Sequence, residues 1–203
     1  MHEQIIQNYL ADTRETFRSY KALAEKAMAQ VSDEEFFRAL DGEANSIAAI
    51  AKHVGGNLRS RWTDFLTTDG EKPDRDRDSE FVADADTRES LREFWETGWQ
   101  ALFATLDGLA PADCGRTVRI RDEDYAVVKA INRSLAHTAS HVGQIILLAK
   151  HFRAGEWKTL SIPRNKSATF NAYVEKAKNR AHYLEAADGF REISGEQTRK
   201  EHE

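Results

Sequence analysis

The chain has 203 residues, of which 40% are hydrophobic and 31% charged, and its formal net charge is −5. That length supports a buried core without covalent staples, and the acidic balance argues against a nucleic-acid partner. The one cysteine, Cys114, excludes an internal disulfide and a CxxC zinc motif. The start, Met1 to Ile6, lacks a basic-then-apolar leader, and the longest apolar run, Ile145 to Ala149, is far too short for a bilayer, so a soluble, cytoplasmic protein with no membrane partner is expected.

Prolines stand only at Pro73, Pro111 and Pro163, which leaves room for long helices. Residues 2 to 30 carry Ile6, Tyr9, Leu10, Thr13, Phe17, Tyr20, Ala24 and Ala27 at helical steps. Ser32-Asp33-Glu34-Glu35 is a capping box for a short helix through Leu40. A second long helix is expected from Asn45 or Ser46 to Leu66, with Ile47, Ile50, Ala51, Val54, Leu58, Trp62 and Phe65 on its inner stripe. Gly55 and Gly56 interrupt it, each at a cost of roughly 1 kcal/mol relative to alanine. Something must therefore come close at that level, either a neighbouring helix or a ligand.

From Thr67 to Ala85 the chain is polar and dense in mixed charge, and reads as a solvated crossover. A connection of that length frees the next helix from lying antiparallel to the previous one. Asp86-Thr87-Arg88-Glu89 starts a third long helix to about Leu109, with Leu91, Phe94, Trp95, Trp99, Leu102, Phe103 and Leu106 inward. The tryptophans, Trp62 included, read as packing, with a substrate-wall role as the lesser alternative. Residues 116 to 127 alternate in polarity and predict a short hairpin. The fourth long helix runs from about Val127 to Phe152. An ordered loop around Leu160 to Pro163, a weaker helix over 167–187 and a frayed polar tail follow. The expected fold is all-α: a four-helix bundle over residues 1–153 with a long crossover and a short hairpin, then a C-terminal extension over 154–203.

The chain has seven histidines. His2 and His202 are terminal, His182 lies in the weaker helix, and His151 ends the fourth long helix, where the helix terminus favours a cation. His137 and His141 differ. Four residues apart, they stand about 6 Å apart along one helix face, close enough to grip one ion from one side. They share that face with Ala130, Ser134, Ile145 and Leu148 and should point into the bundle. His53 lies midway along the second helix, so the two helices can bring all three rings to one level. A single inward histidine is more often a core residue with one satisfied hydrogen bond. Three together would leave ring nitrogens unpaired, and a metal ion removes that cost.

Three imidazoles suit zinc, nickel, iron or copper and leave coordination positions open for water or substrate. No Asp or Glu stands out as a fourth ligand, and Thr138-Ala139 after the first histidine excludes the HExxH arrangement. Asn57, one turn after His53, and Gln144 are candidates to orient a ligand or bound water, but both read better as plain helix-surface amides. Arg61 either meets an anionic substrate or pairs with a surface acid. Cys114, in a loop with no histidine nearby in sequence, reads as a passive thiol.

The stretch Ser46 to His53 and the pattern His137-x-x-x-His141-x-Gly143-Gln144-Ile145 resemble the DinB-like (DinB/YfiT-like) superfamily of metalloenzymes over residues 1–153. Leu160-Ser161-Ile162-Pro163 and the tail are similar to a poorly characterised branch of it. The resemblance implies an up-down-down-up bundle and often a homodimer. It also implies one divalent transition-metal ion per subunit, held by His53, His137 and His141. Its better-known members imply a transferase or isomerase that uses a low-molecular-weight thiol, such as bacillithiol or mycothiol, on a small-molecule substrate. Two other readings stand beside it: a non-catalytic metal-binding or stress-associated dimeric protein, and a metal-dependent hydrolase that activates water.

Overall fold

The structure, a computed structural model, describes residues 2–177 and 186–190. His182, His202, residues 178–185 of the expected weaker helix and the tail from 191 onward lie outside the described residues. The chain divides into two compact units, Met1–Ala154 and Gly155–Glu203.

The first unit is built from α1 (His2–Met28), the short α2 (Asp33–Phe37), α3 (Ile47–Trp62), α4 (Arg88–Gly108) and α5 (Val127–Arg153). The strands β1 (Thr117–Ile120) and β2 (Glu123–Ala126) form one antiparallel hairpin before α5. The fold is all-α, with that hairpin as its sheet among the described residues. Capping sets the helix starts. Ser32 and Glu35 close a reciprocal box on α2, which ends three residues before Leu40, at Phe37. The Ser46 hydroxyl accepts from the Ala49 amide at 3.1 Å, and Thr87 forms a box with Ser90 at the head of α4. Each such cap satisfies amides that have no partner within the helix.

Named contacts give the helix directions. The Gly55 level of α3 meets Phe94 and Trp95 of α4; further along both helices the Thr105 hydroxyl donates to the Trp62 carbonyl at 2.7 Å. These two helices therefore run parallel. Helix α1 opposes α4, since Arg14 reaches the Leu106 carbonyl at 3.1 Å while the later Lys21 reaches the earlier Glu96 at 2.8 Å. Helices α1 and α5 run parallel: Tyr9 bonds Asn132 near their starts, and Glu35, beyond the end of α1, pairs with Arg153 at the end of α5. The bundle is up-down-down-up, and the connection over residues 63–87 permits its parallel middle pair.

The core centres on Phe17, Trp62 and Trp99, with the Phe17 ring edge-on to both indoles at 5.9 and 6.3 Å. Gly55 and Gly98 let α3 and α4 touch backbone to backbone, because a Cβ on Gly98 would stand 2.9 Å from the Gly55 Cα. Helix α3 is buried on nearly all sides, not along one stripe. The reason is the crossover, which is not the solvated segment its composition predicts. It folds onto α3 through a 3-10 turn at Asp78–Phe81, and the side chains of Arg75 and Glu80 are each only 5% exposed. Burying such charges is tolerable because they are paired: both Glu80 oxygens accept from Arg75 at 2.8 Å.

The hairpin turn places Arg121 and Asp122 at φ 55° and 62°. Positive φ at both central positions is the geometry that matches strand twist, and it is unfavourable for residues other than glycine, asparagine or aspartate. The Asp69 carboxylate holds it, accepting from the amides of Arg121 at 2.8 Å and Asp122 at 2.9 Å. The crossover is thereby tied to the hairpin.

In the second unit, α6 (Ser167–Ala177) and the helical residues 186–190 bury Phe170, Ala186, Ala187 and Phe190 in a small cluster of their own. No helix among the described residues is long and apolar enough to cross a membrane.

Candidate metal centre

His53 sits on the part of α3 that faces α5, and the opposed directions of the two helices bring it level with His137 and His141. The His137 Nε2 lies 3.2 Å from the Nε2 of His53 and 3.2 Å from that of His141. The three ligand atoms all fall within 4.8 Å of one another. Two nitrogens each about 2.0–2.1 Å from one ion, at angles between octahedral and tetrahedral, stand about 2.8–3.4 Å apart. The two 3.2 Å spacings are those of imidazoles able to share an ion.

The other ring nitrogens are tied off. The His53 Nδ1 lies 2.9 Å from Glu80 Oε2, and the His141 Nδ1 lies 2.8 Å from the Gln144 amide oxygen. Carboxylate and amide oxygens accept, so both Nδ1 atoms carry the proton and both Nε2 atoms present a lone pair. The His137 Nε2 has one proton at most to offer the two of them. One 3.2 Å contact therefore stays lone pair against lone pair, and a cation at the centre relieves it.

Electrostatics agree. Burial, then the neighbouring His141, His53, Arg133 and Arg61, push His137 down to about 3. Burial also lowers His141, with the Gln144 hydrogen bond working the other way. Both rings are held neutral at pH 7, the form in which imidazole binds metal. Burial alone would raise Glu80, but the hydrogen bonds from His53 and Arg75 outweigh it and hold its carboxyl below the usual range. The Phe81 ring stacks on His53, with centroids 4.6 Å apart, and fixes its plane.

The cluster differs from its sequence expectation in depth. His53 is 3% exposed, but His137 and His141 are only half-buried. The buried stripe of α5 runs through Ala130, Ile131, Ser134, Thr138, Val142 and Ile145, and the two histidines stand at its edge. The site is thus closed on the α3 side and accessible from the α5 side.

A cavity of about 210 Å³ adjoins it, with Asn57, Arg61, Trp62 and Phe65 in its walls. Asn57 is buried against this cavity and is not a surface amide; it makes no hydrogen bond to the three imidazoles. Arg61 is also no surface residue. At 6% exposure it donates to the Gly70 carbonyl and pairs with Glu71 at 2.8 Å. Trp62 packs in the core, stacks on Phe65 and faces the cavity too.

A family model described as a protein of unknown function (DUF1572) matches residues 4–166. The chain belongs to that family. No curated protein and no solved structure matches it.

The match in this DUF1572 chain covers the histidine cluster and the two groups that sequence reasoning missed, Glu80 and Arg75. One signal for them was present. Gly55 is explained by α4, but a Cβ on Gly56 would run into the Glu80 carboxyl group, 2.7 Å from its Cδ. The second glycine makes the seat for the carboxylate. Cys114 takes no part: it is buried in the 3-10 turn Pro111–Gly115, and burial, with Asp113 beside it, pushes its thiol up. His151 is exposed in the last turn of α5.

Proposed function

We propose that this chain is a metalloenzyme of the DinB-like kind, in which His53, His137 and His141 hold one divalent transition-metal ion (zinc, nickel or iron) and the reaction transfers a group to or from a low-molecular-weight thiol. The observation that carries this is the convergence of three imidazole Nε2 atoms, two of them oriented by partners on Nδ1. Three ligands leave coordination positions open, as reactive sites require. Bound there, such an ion would supply the charge that keeps a coordinated thiol deprotonated.

The chain's own residues do the rest. Glu80 accepts the His53 Nδ1–H and so keeps the lone pair on Nε2; Gln144 does the same for His141. Arg75 neutralises Glu80 and fixes its carboxylate plane with two parallel bonds. Phe81 shields the His53 ring from water on one face. The adjoining cavity is the place for a substrate, and no Asp or Glu among the described residues lines it. A hydrolase would ordinarily need a general base there, so the lining favours a thiol nucleophile over an activated water. A homodimer belongs to the same reading and is checked by sedimentation.

The test is a spectroscopic titration. Cobalt-loaded protein is mixed with cysteine, glutathione-like and sugar-linked thiols. A new sulfur-to-cobalt charge-transfer band supports the transferase reading. Unchanged spectra across all thiols leave a metal-binding protein without this chemistry and overturn it.

A further inference from the structure

The cavity beside His53 and His137 is walled by five arginines, Arg61, Arg75, Arg77, Arg121 and Arg133. Acids behind the walls answer only part of that charge. Arg75 is held by Glu80 at 2.8 Å, but a single carboxylate, Glu71, serves Arg61, Arg75 and Arg121 together. Arg77 comes no closer than 3.8 Å to the fully exposed Asp78. Arg133 stands one helical turn before His137 on α5. It has no acidic partner within ion-pair distance among the described residues, and its guanidinium lies 5.8 Å from the Tyr125 ring centre. Arg61 is buried, and its Nε has no hydrogen-bond partner. Burial lowers the pKa of Arg61 in spite of Glu71, and Arg75 and Arg133 add to the lowering.

Arg77, Arg121 and Arg133 are solvent-exposed and hydrated, but the Arg61 Nε–H is buried without a partner, and a buried donor left in that state destabilises the fold. A ligand oxyanion supplies what is missing, because the guanidinium fork matches carboxylate and phosphate oxygens. The volume, about 210 Å³, is below the ~300–1,000 Å³ usual for drug-sized ligands, so the ligand is small.

We propose that the substrate of this site is a small organic oxyanion, carboxylate or phosphate, whose charged end lies on Arg133 and Arg61 while its other end reaches the three imidazoles. The inference rests on the functional reading above for what the imidazoles do, but on the cavity alone for what binds.

The experiment is calorimetric titration of the full chain with succinate, propyl phosphate and neutral succinamide. Wild type is measured metal-loaded and metal-stripped, beside Arg133→Gln. At least one anion binds wild type and succinamide does not, and the two anions tell carboxylate from phosphate. Arg133→Gln weakens the anion at least tenfold, a loss of about 1.4 kcal/mol, with metal content unchanged. Metal-stripped wild type keeps anion binding, so failure of the metal reading leaves this inference standing. Absence of binding by both anions overturns it, as does equal binding of succinamide or full affinity in Arg133→Gln.

Discussion

The two helices that meet at the histidine cluster treat their imidazoles differently. On α3, His53 is buried, stacked on Phe81 and bonded to a carboxylate that is itself clamped by Arg75. On α5, His137 and His141 are half-buried, and the one Nδ1 held by an oxygen among the described residues is that of His141, on Gln144, an exposed amide. One wall fixes the site; the other gives access to it. The difference arises from the crossover, which covers α3 and leaves the α5 edge uncovered.

Substitutions can break that contrast. The largest effect is expected at the centre: His137→Ala should lose the bound metal altogether, about one ion per chain by elemental analysis. On the clamped side, Glu80→Ala leaves the buried Arg75 guanidinium short of its partner, which should cost about 3–5 kcal/mol in denaturant unfolding. The same variant should weaken metal binding about 10–100-fold, as removal of such an orienting partner does.

Glycine substitutions sharpen the contrast further. Gly56→Ala drives a methyl group into Glu80 and should destabilise by about 1–3 kcal/mol. Gly143→Ala, on the open α5 side with nothing within 4 Å of the new Cβ, should stabilise by up to about 1 kcal/mol through helix propensity. Matching signs for the two variants in thermal melts would show that the crossover does not sit on α3.

Proton linkage probes the open side. His137 titrates at about 3 in the fold against 6.5 ordinarily, so between those values the unfolded chain binds the extra proton. Metal-free protein should therefore lose stability as pH falls from about 6.5 towards about 3, with no contribution from this ring above that window. His137→Ala should flatten that part of the stability–pH curve. The smallest effect is expected from Gln144→Ala. An exposed amide leaves water able to replace it, so metal affinity should fall by about tenfold or less in competition with a chelator.

Much of this was legible in the sequence, for local reasons. Apolar periodicity marked all four long helices, and the Ser32 and Thr87 caps set two helix starts. The i, i+4 spacing put His137 and His141 together, and the mid-helix position of His53 suggested the third ring. Glu80 was not legible, because it acts on a residue 27 positions away from inside a segment whose composition is that of a solvated loop. What buries Arg75 and Glu80 is their mutual pairing and the seat at Gly56, and no local pattern encodes that. Asn57 was misjudged as a surface amide for the same reason: α3 is covered on the side where composition predicted water.

X-ray absorption at the metal edge tests the central claim most directly, on protein purified and metal-loaded without added thiols. Three imidazole rings should appear by multiple scattering, with nitrogens at about 2.0–2.1 Å and no sulfur shell. Protein that retains no metal, or a spectrum with fewer imidazoles or with sulfur from Cys114, would contradict it.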